Sequence, residues 1–349
     1  MLKKILSVLL CVTLLFSVVG CAKTDDEQPS GDSTTTTTTT APQKQYNIVT
    51  GLEDIDLGQP TRPVGVMISN DYWASRPQAN IDKADMYVEI ETEGAVTRIM
   101  AIFGSTSRMP ASLTPVRSAR TPFIQIANAL DLIYVHCGAS KAGRQLISRI
   151  DISDADEQGN GAYFWRDKQL LQERATEYTL TTGGKEIAEL ATNRGYATTA
   201  QADMPFEFGA QTTAGGNNVT TAQIAVSASE TITFKYDATS GVYTKYFGKA
   251  DSTEKHVSLA GDPIQVNNVV VIYGSKYAEN MGSKQTYGFD LESGSGKVMT
   301  AGGARDITYK LSSDGFTLYE ADGSKVKLNT GKTYLCVADE GFKSDLVLS

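Results

Sequence analysis

Pro63-Val64-Gly65-Val66-Met67-Ile68-Ser69 is an unbroken apolar run seven residues long, too short for a helix and rich in β-branched residues. Such a run predicts a strand covered on both faces, which requires layers of structure on either side of a sheet. The residues around it alternate strand and helix signals. Met86 to Thr92 and Val96 to Phe103 read as a hairpin around Glu93-Gly94. Thr121-Pro122 opens a helix through Leu130, with Thr at the N-cap and Pro at the first helical position. Leu132 to Cys137 reads as a second buried strand, Lys141 to Ile150 as a helix, and Gly184 to Arg194 as another, closed by Gly195. Together these give an α+β chain whose first folded domain, 48–205, is a mixed α/β sheet covered by helices.

Beyond the Ala-, Gly-, Thr- and Asn-rich stretch 201–218, the pattern becomes strand after strand. Thr231 to Tyr236, Val242 to Phe247 and Val269 to Tyr273 alternate apolar and polar residues. Segment 206–349 therefore reads as a β-rich, antiparallel C-terminal domain beside the first.

The start of the chain is not part of either domain. Lys3 and Lys4 precede an apolar stretch from Ile5 to Val19, and Val18-Val19-Gly20-Cys21 is a lipobox. Residues 1–20 are expected to be a signal peptide, with Cys21 as the first residue of the mature chain. Its thiol is expected to carry a diacylglycerol, and its new amino group offers a place for a further acyl chain such as palmitate. One chain alone anchors only marginally. Segment 21–47 is polar and contains an uninterrupted threonine run, Thr34 to Thr40. It cannot bury enough surface to offset its ordering entropy and reads as a disordered linker. About 25 such residues give a root-mean-square reach of roughly 25–30 Å. The expected address is extracytoplasmic, lipid-anchored to the bacterial cell membrane.

Charge and composition narrow the partners. The net charge is −8 over 349 residues. Without Lys3 and Lys4 there remain 30 basic against 40 acidic residues, a net of −10. No basic stripe for nucleic acid is present, and nucleic acid is rejected as a ligand. The chain has two histidines, His136 and His256, and no Cys-x-x-Cys pair, so no metal site and no cofactor are expected. Cys137 and Cys336 lie in separate apolar strand patterns and read as buried free thiols. Ser293-Gly294-Ser295-Gly296-Lys297 resembles a phosphate loop but lacks the required earlier glycine and the following Ser or Thr. No Gly-x-Ser-x-Gly elbow exists.

Two groups of polar residues stand out. If the strands ending at Phe103 and Cys137 are parallel, Arg117, Arg120 and His136 meet at one sheet edge, beside the start of the Pro122 helix. Asn70 and Asp71 join them if Pro63 to Ser69 runs the same way. Guanidiniums at a helix N-terminus suit a carboxylate or phosphate ligand. The same side chains can instead bridge an acidic residue of a neighbouring loop, with His136 a satisfied core residue. Lys297 and Arg305 of the second domain either roof this edge or lie apart from it. The second group is Glu89, Glu91 and Glu93, which alternate along one strand and so share a face, with Arg98 opposite Glu89 or Glu91. Carboxylates at that spacing either serve acid/base chemistry on a sugar or form a solvated charged face.

Several ordered runs resemble the YerB-like bacterial lipoprotein family. They are Arg62 to Asn70, Arg76-Pro77-Gln78, Ala84-Asp85, Glu93-Gly94 with Thr97-Arg98, Ala101-Ile102-Phe103, Pro115 to Arg120, and Tyr134-Val135-His136. Phe164, Arg166-Asp167-Lys168 and Gly195-Tyr196 continue the pattern. In the second half it extends through Phe234 to Asp237, Ser240 to Tyr243, Asn268 to Val271, Gly294 to Lys297 and Lys327 to Thr333. The resemblance implies an envelope lipoprotein of two domains of unknown function, with no accepted reaction. Where the family pattern has a histidine and an asparagine before a Leu-Tyr-Thr-Ser run, this chain has Glu177-Tyr178 followed by Thr179-Leu180-Thr181-Thr182. Near His256, Ser258 stands where the family often has an aspartate.

The favoured expectation is a non-catalytic module that binds an anionic wall component, such as peptidoglycan or teichoic acid, or an envelope protein, using Asn70, Arg98, Arg117, Arg120 and His136. The alternative is a cell-wall glycan hydrolase or transferase, with Glu89 or Glu91 as acid/base and Arg98 beside them.

Overall fold

The structure, a computed structural model, describes residues 43–209, 218–279 and 285–349. The expected signal peptide, Cys21 and most of the expected linker fall outside the described residues, and so does part of the 201–218 junction. The linker's expected end at 47 is too late, because Lys44–Asn47 is a strand (β1) paired antiparallel with Leu52–Asp56 (β2).

The first half supplies β3 (Val64–Ser69), β4 (Met86–Glu93), β5 (Val96–Phe103), β6 (Ile133–His136), β7 (Ser153–Asp156) and the short pair β8 (Trp165–Arg166) and β9 (Leu180–Thr181). The second half begins with β10 (Glu207–Gly209) and continues through β11 (Thr221–Ala225), β12 (Thr231–Asp237), β13 (Val242–Phe247), β14 (Gln265–Val266), β15 (Asn268–Glu279) and β16 (Thr286–Asp290). It ends with β17 (Ser293–Thr300), β18 (Gly303–Ser312), β19 (Gly315–Tyr319), β20 (Lys327–Asn329), β21 (Thr333–Asp339) and β22 (Val347–Leu348).

One sheet runs through both halves, in the order β19-β18-β17-β15-β21-β4-β5-β3-β6-β7, with β16 paired to β15. Strand β21 makes the join: it lies parallel to β15 on one side and to β4 on the other, Met86 facing Thr333. The segments expected as two domains thus share a sheet, and the second is not purely antiparallel. A smaller sheet, β14-β13-β12-β11-β22, is antiparallel throughout.

Two apolar layers follow from the strand alternation. Val66, Ile68, Tyr87, Ile99, Ala101 and Tyr334 point to one face, where Phe234 and Tyr243 of the smaller sheet and Ile187 and Leu190 of the helix Gly184–Arg194 meet them. Met67, Val88, Ile90, Met100 and Tyr134 point to the other, under α1 (Thr121–Ala129) and α2 (Lys141–Ile147). All six residues of β3 are buried, as expected for a strand covered twice. Helix α1 begins one residue earlier than its sequence suggests, with Arg120 at the N-cap.

The parallel relation expected between the strands ending at Phe103 and Cys137 does not hold. β3 lies between them, antiparallel to β5 and parallel to β6. A hairpin reverses β5 relative to β4, so it is β3 and β6 that the crossover through α1 sets side by side in the same direction.

The β4–β5 hairpin turns through Gly94 at φ 60° and Ala95 at φ 61°. Two positive φ values are what a two-residue loop of the right-handed-twist type needs, and Ala accepts that region poorly. Ala95→Gly should therefore raise stability by up to about 1 kcal/mol, read from the midpoint of urea unfolding at unchanged slope. A destabilised variant would mean that the turn is not under this strain.

Candidate functional site

A register shift between Glu91 and Glu93 separates the three glutamates. A bulge adds one residue to one strand, and because side chains alternate, everything beyond it changes face. Glu89 and Glu91 point toward the smaller sheet. Glu93, opposite Val96, points toward α1 instead. The expectation that all three share a face is corrected, and so is the placement of Arg98 across from Glu89 or Glu91. Arg98 pairs with Ile90 and lies on Glu93's side.

There Glu93 collects two guanidiniums. Arg120 grips it bidentately, Nε to Oε2 at 2.8 Å and Nη2 to Oε1 at 2.6 Å, and Arg98 Nη2 reaches the same Oε1 at 2.6 Å. Arg98 also donates to the Ser118 carbonyl, and Arg120 to that of Ala119 at 2.8 Å. Both arginines are buried. Burial disfavours the charge on Arg98 and the Arg120 guanidinium repels it; Glu93 opposes and Arg117 adds to the repulsion, leaving its pKa lowered to about 9. Burial alone would push Glu93 up, but the Arg98 and Arg120 charges and their hydrogen bonds hold it below the ordinary carboxylate range.

Arg117 sits between the ends of β3 and β6, its N–H donating to Met67 O and its carbonyl accepting from Cys137 N. Its guanidinium is 5.0 Å from the Tyr178 ring centre and 3.8 Å from the Glu177 carboxylate. Its Nε is buried with no partner among the described residues, and so is the hydroxyl of Tyr134. Among the described residues no hydrogen bond or ion pair joins His136 to the arginines. Its Nε2 is 2.6 Å from Asp154 Oδ1, its Nδ1 is 2.9 Å from Gly138 O, and its ring lies against Tyr134 at 4.9 Å. Lys297 and Arg305 lie on β17 and β18, beyond β15 and β21, paired with Asp306 and Glu320, and do not roof this edge.

On the other face, between the two sheets, a polar network closes on itself. Lys245, fully buried on β13, donates all three ammonium protons: to Glu89 Oε2 at 2.8 Å, to Tyr334 Oη at 2.9 Å and to His256 Nδ1 at 3.2 Å. Tyr334 in turn donates to Glu89 Oε2 at 2.6 Å. Glu89 Oε1 accepts from Asn70 at 2.8 Å and Thr97 at 2.7 Å. His256 Nε2 donates to Gln78 Oε1 at 3.0 Å, and Gln78 reaches Asn70 Oδ1 at 3.2 Å. Arg76 closes the outer side, with Nε to Asn70 Oδ1 at 3.1 Å and Nη2 to Glu230 Oε1 at 2.5 Å. Burial would raise Glu89, but the Lys245 charge and the hydrogen bonds from Lys245, Tyr334 and Thr97 carry it below its usual value. Asn70, expected beside the arginines, belongs here. Glu89 has its acceptor sites filled, and Glu91 is buried against Lys276 at 2.8 Å. Both carboxylates are thus taken up by buried partners instead of standing free as an acid/base pair.

Sequence reasoning missed Lys245, His256, Tyr334, Gln78, Arg76 and Glu230. One signal was available: in Val242 to Phe247 the lysine falls in the same alternation as Tyr243 and Phe247, the inward-facing set. The thiols are both free, Cys336 buried and Cys137 only half-buried, so the expectation of two buried thiols holds for one. Burial and the Glu157 carboxylate push the Cys137 thiol up to about 12.

A β-rich body with two domain patterns matched in succession defines the class: the chain belongs to the family described as "Protein of unknown function (DUF3048)". The family's N-terminal domain matches residues 49–197 and its C-terminal domain matches residues 222–335. Within it, a relative from Bacillus subtilis (strain 168) named "Putative lipoprotein YerB" is 27% identical over 300 residues, 84% of this chain and 86% of that one. The crystal structure of the YerB protein from Bacillus subtilis has the same fold, with a TM-score of 0.72 at 24% identity over 88% of this chain and 100% of that chain. The resemblance read from the sequence is therefore correct. Among the described residues no helix is long and apolar enough to cross a membrane.

Proposed function

We propose that this protein is a lipid-anchored, extracytoplasmic binding module whose ligand is an anionic polymer of the cell envelope or the acidic face of an envelope protein, held at the edge formed by Arg98, Arg117 and Arg120. The lipobox at Cys21, the threonine-rich tether and the relative's name support the address. One observation carries the ligand class. Two guanidiniums, Arg98 and Arg120, close on one carboxylate, Glu93, with a third, Arg117, near enough to repel Arg98, while two buried donors, Tyr134 Oη and Arg117 Nε, have no acceptor among the described residues. Unpaired buried donors cost about 1–3 kcal/mol each, and burial, with repulsion from Arg120 added to it, already depresses Arg98. An anion at this edge would supply the missing acceptors and the missing negative charge.

The experiment compares the full chain in detergent micelles with Tyr134→Phe and Arg117→Ala, titrating teichoic acid calorimetrically. Each variant should lose affinity by about tenfold or more, the size of one charge-assisted hydrogen bond. Tyr134→Phe should not lower folding stability and should raise it by up to about 1–3 kcal/mol, because it removes a buried hydroxyl with no partner among the described residues. Equal affinity of wild type and both variants would defeat the proposal.

A further inference from the structure

A separate cleft of about 530 Å³ opens on the opposite side of the hairpin tip, where Ala95 and Val96 form part of its wall. Its size lies in the range of small-ligand sites, roughly 300–1,000 Å³. Trp73 stands at its mouth, 90% exposed, the most exposed large apolar side chain among the described residues. Tyr72, itself 41% exposed, packs edge-on against that indole at 4.6 Å and 79°. The Tyr72 hydroxyl donates to Glu254 at 2.9 Å, which fixes the ring. The Arg76 guanidinium lies over the Phe247 ring, 3.7 Å from its centre, and is tied to Glu230 and to Asn70.

We infer that this cleft is a saccharide-binding site, in which Trp73 stacks on the apolar C–H face of a sugar ring and Glu230, Glu254 and Arg76 bond its hydroxyls. Two features point to that class. First, an indole left in water at the rim of a polar cleft offers a flat apolar surface of the kind that recognition sites use, since Trp combines large contact area with little conformational entropy to lose. A sugar is the ligand whose one face is apolar and whose rim is hydroxyl, matching a flat ring beside polar groups. Second, the wall charges are Asp71, Glu230 and Glu254 against the single Arg76. That balance repels the polyanions suited to the Arg117 edge and favours a neutral or amine-bearing sugar. Burial and the charge of Glu89 raise the Glu230 carboxyl above its usual range, which favours a group able to donate as well as accept. The polar groups are held before any ligand arrives, because Arg76 and Glu230 are the outer members of the Lys245 network.

The test uses the full chain in detergent with Trp165→Phe, which leaves Trp73 as the single tryptophan of the two in the sequence. Titration with chitotetraose, and in parallel with maltotetraose and an apolar tetrapeptide, is followed by tryptophan emission and by calorimetry. A saturable response to at least one saccharide is expected, with affinity reduced about tenfold or more by Trp73→Ala, as for an aromatic anchor. Glu254→Gln should weaken it by a smaller factor. Tyr134→Phe and Arg117→Ala should leave it unchanged, which separates failure here from failure at the arginine edge. No saturable response to either saccharide at millimolar concentration, a response to the tetrapeptide alone, or saccharide binding indifferent to Trp73→Ala would overturn the inference. Trp73 is nearly all in solvent, so the variant tests recognition and not folding.

Discussion

Lys245→Met is expected to lower folding stability by about 3–5 kcal/mol, the usual cost of leaving one member of a buried ion pair alone. The lysine and Glu89 are both wholly buried, 2.8 Å apart, in the layer between the two sheets. Methionine fills much the same volume, so the loss is electrostatic and not a matter of packing. Three acceptors lose a donor at once: Glu89 Oε2, Tyr334 Oη and His256 Nδ1. Tyr334 and the Asn70 and Thr97 side chains still donate to Glu89, but dipoles do not cancel a buried unit charge. Adding Glu89→Gln should recover a large part of the loss, because the double variant removes both charges. The double-mutant cycle, read by urea unfolding, should give a coupling of more than about 1 kcal/mol. A single variant costing under about 1 kcal/mol, or a double variant additive with its parents, would mean that this network does not hold the sheets together.

The sequence made the local elements legible and left their long-range arrangement hidden. Val96–Phe103, Val242–Phe247 and Gly184–Arg194 have the limits that alternation, turn residues and a glycine C-cap indicate. Nothing local records that β21 slots between β15 and β4, since the pairing of Met86 with Thr333 joins residues from opposite ends of the folded chain. β1 and β2 escaped because Lys44–Asn47 and Leu52–Asp56 carry polar and charged residues along an exposed ribbon, where hydrophobic period gives no signal.

The site shows the same division. Arg117 and Arg120 are visible in one dimension as basic residues ahead of a helix and Arg98 as the base across a hairpin, and Arg98 and Arg120 do meet, on Glu93. Their partner Glu93 was assigned to the wrong face, because a bulge of one residue leaves no mark in a strand pattern yet inverts everything beyond it. The Lys245 network was the larger omission. Its members come from the loop after β3, from β4, β5, β13 and β21 and from the segment carrying His256, and only packing of the two sheets brings them together. A polar residue in an apolar alternation marks such a place without saying what it will meet.

The pH dependence of stability should expose the same network through His256. Its ring is buried 4.5 Å from the Phe247 ring centre; Lys245 donates to Nδ1, and Nε2–H is bonded to Gln78. Burial, the Lys245 ammonium and the Arg76 guanidinium all act against a second proton, and its pKa falls well below the ordinary histidine value of 6.5. Glu89, on the far side of the ammonium, favours the opposite charge but is already paired with it. The unfolded chain protonates this histidine near pH 6.5 and the folded one does not. The stability contributed by neutral His256 is therefore complete above pH 6.5 and drains as pH falls, at up to about 1.4 kcal/mol per pH unit. Glu89, whose folded pKa is depressed, adds a second loss as pH falls below the carboxylate value of 4.5. Glu230 acts in the other sense: its raised pKa makes it a stabilising term at low pH that is lost as pH rises through the folded value. Between pH 7 and 5.5 wild type should lose about 1 kcal/mol more than His256→Gln, which keeps a hydrogen-bonding side chain that cannot titrate. Urea unfolding of both proteins at the two pH values decides it: parallel losses would place the proton uptake elsewhere, while a flatter profile for the glutamine variant would assign it to the ring that burial and Lys245 hold neutral.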